Sequence, residues 1–178
     1  MTDQRIILFR GMNTGGVRVS VGDQRVMAEA IGLNNPRTLL ASGNLVVESD
    51  RAPADLEAAL EAEMLRRFDL SVAVMVRTPD QWAELIAANP FAVEAASDPA
   101  KLVAMVMKNG LKAGGLDACR ALCQGEEAVE YADGVLYLWF ADGQGSSAIF
   151  KKATPRLLGM GTGRNWNTVL KLGQMAGA

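Results

Sequence analysis

Residues 37–49, RTLLASGNLVVES, hold two short runs, 37–41 and 45–49, on either side of Ser42-Gly43-Asn44. Glycine and asparagine accept a positive φ at least cost, so the stretch reads as a tight β-hairpin. What flanks the hairpin decides the fold. Upstream lie a buried-type strand at 5–10 (RIILFR) and a helix over about 21–31; downstream lie a helix over about 53–68 and a strand at 71–77 (SVAVMVR). Strand, helix, two strands, helix, strand is the split βαβ order of a ferredoxin-like unit.

The helices carry their own punctuation. Ser20 reads as the N-cap of the first, with Asp23 in its first turn and Gly32-Leu33 as a Schellman-type stop. Its apolar face is expected to be Val26, Met27, Ala30 and Ile31. In the second helix Leu56, Leu60, Met64 and Phe68 recur at i, i+4, which leaves Glu57, Glu61 and Glu63 on the side expected to stay wet.

Beyond residue 77 the order repeats. Thr78 with Gln81 forms a capping box, Pro79 takes the first helical position, and Asn89-Pro90 ends this connector helix. Residues 92–100 read as a linker. Then come a strand at 101–108 (KLVAMVMK), a helix over about 115–123, and strands 126–132 and 135–140 about the turn Asp133-Gly134. A helix over about 147–158, a short strand at 161–164 and a last helix over about 165–175 complete the chain. The expected fold class is α+β: two tandem ferredoxin-like (split β-α-β) subdomains, antiparallel sheets with helices packed on one face. The first would span 1–90 with the connector helix and the second 91–178 with the C-terminal helix, packed as one globular unit. An internal duplication of order, not of residues, would explain the repeat; a single mixed sheet without duplication is the alternative.

Composition bounds the function. At 178 residues, 49% hydrophobic and 21% charged, the chain can bury an ordinary core without a disulfide or metal. Histidine is absent, which removes the usual neutral-pH base, the triads built on it and most zinc-enzyme ligand sets. Cys119 and Cys123, the only cysteines, sit four apart in a helical pattern and read as reduced thiols. No metal site is expected. No run reaches the ~20 apolar residues of a membrane helix, and MTDQRIILFRGMN has no leader pattern, so the expected location is cytoplasmic, without membrane. A net charge of −2 argues against a broad nucleic-acid surface, and neither sheet aromatics nor a basic field is evident, so nucleic acid is not an expected partner, though local basic pockets are compatible with the charge.

Four motifs carry a family resemblance: residues 9–16 (FRGMNTGG), Ser42-Gly43-Asn44, Asn89-Pro90-Phe91 and residues 161–172 (GTGRNWNTVLKL). In this order and spacing the chain resembles the domain-of-unknown-function family 1697. Thr14 stands where that pattern carries an apolar residue. The resemblance implies a pair of ferredoxin-like subdomains and brings no activity, substrate or cofactor.

Three loops concentrate the candidate ligand-binding residues. Arg10, Asn13, Gly15 and Gly16 follow a strand end, where backbone N–H groups can turn toward an anion; glycines solving a steric problem are the simpler account. Ser42, Gly43 and Asn44 offer a hydroxyl and an amide, or simply build the hairpin turn. Arg164, Asn165 and Thr168 stand at the start of the last helix, where arginine suits a phosphate or carboxylate and Asn165 can cap. Trp166 reads as a core anchor, and Lys151, Lys152 and Arg156 as a modest basic cluster on a wet face.

The reading is a binding module for a small anionic or phosphate-bearing ligand at the Arg10 and Arg164 loops. A self-association or protein-interaction module working through exposed sheet edges is one alternative. A histidine-independent enzyme is another, with no catalytic residue or cofactor identifiable from the sequence.

Overall fold

The computed structural model describes residues 3–41 and 43–178. Two compact units divide the chain, one of residues 1–83 with 172–178 and one of residues 84–171.

The first unit runs β1 (Gln4–Phe9), α1 (Val21–Ala30), β2 (Asn34–Thr38), β3 (Asn44–Glu48), α2 (Pro53–Phe68) and β4 (Val74–Arg77). Its sheet is antiparallel in the order β2-β3-β1-β4, with β1 in register against β3 (Ile6 opposite Val46) and β4 (Ile7 opposite Val76). Alternate residues Ile7, Phe9, Leu45, Val47, Val74 and Val76 pack against Leu56, Leu60 and Met64 of α2 and Met27 and Ala28 of α1. The other face, Ile6, Leu8, Val46 and Met75, is buried as well, which accounts for the continuous apolar run in β1 where a half-exposed strand would alternate.

Several helix and strand details differ from the sequence expectation. In α1 the buried face is Gln24, Met27 and Ala28, while Val26 is 55% exposed; the full capping box of Ser20 and Asp23 sets the helix phase. The edge strand β2 begins at Asn34, before Pro36, with a register shift between Asn34 and Arg37. An edge position tolerates the missing N–H of Pro36. The glutamates of α2 are not a wet row. Glu63 is buried and bonded to Arg66 and Arg67, and the carboxylates of Glu61 and Glu57 accept from the backbone N–H groups of Val74 and Val76, each at 2.9 Å.

Next come α3 (Pro79–Ala87) and α4 (Ala92–Ser97), followed by a 3₁₀ turn at Pro99–Lys101. The expected linker at 92–100 is therefore largely helical. Phe91 and Ala95 are buried, and Asn89 Oδ1 accepts from Phe91 N–H at 2.9 Å to turn the chain into α4.

The second unit contains β5 (Leu102–Met107), α5 (Gly115–Arg120), β6 (Ala128–Ala132), β7 (Val135–Trp139), α6 (Ala148–Lys152), α7 (Pro155–Leu158) and β8 (Gly161–Asn165). Its sheet order, β6-β7-β5-β8, is that of the first unit, and all its pairings are antiparallel. The helix expected over 147–158 is two short ones, because Pro155 has no N–H to continue the ladder and takes the first position of α7. Val103, Met107, Leu136 and Leu138 pack beneath Cys119, Ile149 and Leu158 of the helices. On the other face Tyr137 is buried and donates its hydroxyl to Leu85 O of α3 at 2.7 Å. Its ring meets Trp166, the first residue of α8 (Trp166–Ala176), at 6.5 Å between centroids. The protein is thus an α+β pair of split βαβ units.

Candidate functional site

In the first unit the strand end at Arg10 opens into a loop built on two residues of positive φ, Gly11 and Asn13. Asn13 is the clasp. Its Nδ2 donates to Val19 O at 3.0 Å and to Ala41 O at 2.7 Å, and its Oδ1 accepts from Val19 N–H at 2.7 Å. The Thr14 hydroxyl donates to Gly11 O at 2.6 Å, closing the turn beneath. Arg10 is half-buried, its backbone N–H donating to Ala73 O.

Gly15 and Gly16 behave differently from the other glycines of the motifs. Both are exposed, neither takes a positive φ, and a Cβ on either would meet nothing within 4 Å. Their N–H groups enter no hydrogen bond among the described residues. The fold places no demand for glycine here.

The hairpin turn makes the contrast. Gly43 has φ +83, and a Cβ there would come within 3.0 Å of Phe9 Cβ and 3.1 Å of Met12 Cε. Asn44 is fully buried, its Nδ2 donating to Leu39 O at 3.0 Å. Both residues build the turn. Ser42 lies outside the described residues.

In the second unit Arg164 stands on the edge strand β8, opposite Ala104 of β5. Its Nη1 donates to Thr162 Oγ1 at 2.7 Å and Gly163 O at 2.8 Å, which fixes the direction of the guanidinium. Burial lowers its pKa to about 10, because a charge in a poorly solvated site favours its neutral form. The glycines of this motif are steric necessities: a Cβ at Gly161 would sit 2.6 Å from Met107 Sδ and one at Gly163 2.8 Å from Val103 Cγ1. Asn165 caps α8, its Oδ1 accepting from Thr168 N–H at 3.0 Å and from the Thr168 hydroxyl at 3.2 Å.

The sequence reading missed a shallow groove in the second unit, about 430 Å³ in volume. Ile86, Asn89, Ala92, Ala95, Trp166 and Leu170 are among its walls, so two of the four motif segments, Asn89-Pro90-Phe91 and the one containing Trp166, contribute to a single concavity. Short alanine side chains beside an indole open the space. The signal was present in the sequence as motifs, but nothing local says that residues 89 and 166 adjoin.

Neither cysteine is prepared for chemistry. Cys119 is buried, and desolvation, with Cys123 and Glu127 adding to it, raises its thiol to about 11; Cys123 is raised as well, again chiefly by burial. Among the described residues no three histidine, cysteine, aspartate or glutamate side chains gather as metal ligands, and no helix is long and apolar enough to cross a membrane.

Residues 1–137 match the family described as "Protein of unknown function (DUF1697)". The match ends before the motif at 161–172. No curated protein matches the chain. Among solved structures the chain is similar to the conserved bacterial protein SP0830 from Streptococcus pneumoniae, with a TM-score of 0.80, 22% identity and 99% of each chain covered. At that identity the likeness concerns the fold.

Proposed function

The chain belongs to the DUF1697 family of unknown function, and from that premise we propose that it is a binding module for a small anionic or phosphate-bearing ligand at the Arg10 loop. The observation that carries this reading is the pair Gly15 and Gly16, with open backbone N–H groups and no conformational or steric reason to be glycine, in the loop that starts at Arg10. Glycine at a site where alanine would fit costs about 0.4–1 kcal/mol through the entropy of the unfolded chain. A ligand that approaches the main chain closely gives that cost a purpose. Consecutive N–H groups with an arginine supply the donors and charge that a phosphate or carboxylate accepts. Asn13 holds the loop in shape. Arg164, directed by Thr162 and Gly163 and desolvated, is a second anion candidate.

A thermal-shift screen against nucleotides, sugar phosphates and small carboxylates tests the reading. A ligand at ~100 times its dissociation constant adds about 2.7 kcal/mol, enough to move Tm by a few degrees. Gly15→Ala and Gly16→Ala are expected to raise the ligand-free Tm and to diminish the ligand-induced shift, and Arg10→Ala to abolish it. A shift lost only in Arg164→Ala would move the site to β8. A shift unaffected by all four variants would refute the proposal.

A further inference from the structure

Asp142 is the last acidic side chain in the sequence. Residues 143–178 contain Lys151, Lys152, Arg156, Arg164 and Lys171 and no carboxylate side chain, in a chain whose net charge is −2. The balance of the whole chain hides a strongly basic segment.

The fold concentrates it further. The loop after β5 is bonded along the segment from α7 to β8: Lys108 N–H donates to Met160 O at 2.8 Å, Lys112 N–H to Leu158 O at 2.9 Å, and Lys112 Nζ to Arg156 O at 3.2 Å. Lys112 therefore joins Arg156, and α6, ending in Lys151 and Lys152, leads directly into α7. All four side chains are exposed, and among the described residues none of the four forms an ion pair. The nearest acids in sequence are engaged or directed elsewhere. Asp117 lies 3.8 Å from Arg120, and the Asp142 carboxylate faces Gly125. Beside the lysines, Phe150 is 62% exposed while its neighbour Ile149 is fully buried, so α6 is anchored by one residue and presents the other to solvent.

An exposed aromatic ring flanked by unpaired cations matches the chemistry of a single nucleic-acid strand, in which a base stacks on the ring and neighbouring phosphates meet the cations. The sheets cannot serve as the platform, because Ile6, Leu8, Val46, Ala104, Val106 and Tyr137 show that the faces away from the covering helices are buried too. A bilayer surface calls for a longer amphipathic helix than the five residues of α6. We propose that the segment from α6 to α7, together with Lys112, is a docking site for single-stranded nucleic acid, with one base on Phe150 and phosphates on Lys112, Lys151, Lys152 and Arg156. This site is independent of the Arg10 loop.

Fluorescence anisotropy with a labelled ten-nucleotide oligothymidylate, titrated across salt concentrations, tests it on the full chain. Four phosphate contacts predict that log affinity falls with log salt with a slope of about −3. The double variant Lys151→Ala/Lys152→Ala is expected to reduce that slope by about 1.4. Phe150→Ala is expected to weaken binding about tenfold and leave the slope unchanged. Arg25→Ala is expected to bind as the unaltered protein does, and circular dichroism checks that each variant is folded. No binding at low salt would overturn the proposal. So would equal binding by Phe150→Ala with duplex or heparin competing as well as the single strand, which would mean simple polyanion attraction. Association with phosphatidylserine vesicles in the absence of oligonucleotide binding would assign the patch to membranes and overturn it too.

Discussion

At the residue scale, position in a motif does not tell whether a side chain faces a ligand or the chain itself. Asn13 and Asn44 both use their amides on main-chain carbonyls, which makes them structural, whereas Gly15 and Gly16 have no structural task that the fold reveals. Glu63 gives the clearest titration. Hydrogen bonds from Arg66 and then Arg67 hold its carboxyl down from the ordinary 4.5 to about 2. A folded-state pKa below the unfolded one means the stabilisation is complete above about pH 4.5 and is lost as pH falls toward 2. Glu63→Gln should therefore lower Tm at neutral pH and flatten the fall of Tm between pH 4.5 and 2. Thermal melts followed by circular dichroism, showing the same acid slope in variant and parent, would contradict this assignment.

At the scale of elements, α2 does more than cover a sheet. β4 is an edge strand, and its outward N–H groups at Val74 and Val76 are satisfied by Glu61 and Glu57, which lie one helical turn apart. An edge closed by carboxylates is a poor template for pairing with another chain, so self-association through β4 is disfavoured. Glu57→Ala/Glu61→Ala should cost about 3 kcal/mol in urea unfolding, since each removes a hydrogen bond to a charged group, the stronger kind. Light scattering should then detect larger species. A monodisperse variant with unchanged urea midpoint would show that these bonds contribute nothing.

The same helix marks the limit of reading elements from sequence. Its span and its i, i+4 apolar stripe were legible, as were the caps at Ser20 and Thr78, because these signals lie within a few residues. The tasks of Glu57 and Glu61 were not, since the strand they close is 13 and 19 residues away. Residues 92–100 follow the stop at Asn89-Pro90 and read as a linker, but burial of Phe91 and Ala95 gives α4 a surface to fold against, and that contact has no local signature.

At the scale of the molecule, each unit by itself sets two central strands between two edges: β3 and β1 in one, β7 and β5 in the other. With both sheet faces buried, amide exchange should be slowest in β1, β3, β5 and β7 and faster in β2, β6 and β8, as hydrogen-exchange mass spectrometry can measure. Equal protection in β2 or β8 would mean that the edges are closed by contacts not described above.

The sequence by itself determined the antiparallel split βαβ plan of the two sheets and the elements that build it, though not α4 or the break between α6 and α7, because periodicity, caps and turn residues act over short distances. Only the tertiary structure decided which glycines are steric necessities and which are open, which carboxylates are wet and which close a strand edge, and where the cations of an acidic chain gather. Those properties depend on which distant residues are brought together; Gly161 against Met107 and Lys112 against Arg156 are pairs that no local pattern encodes.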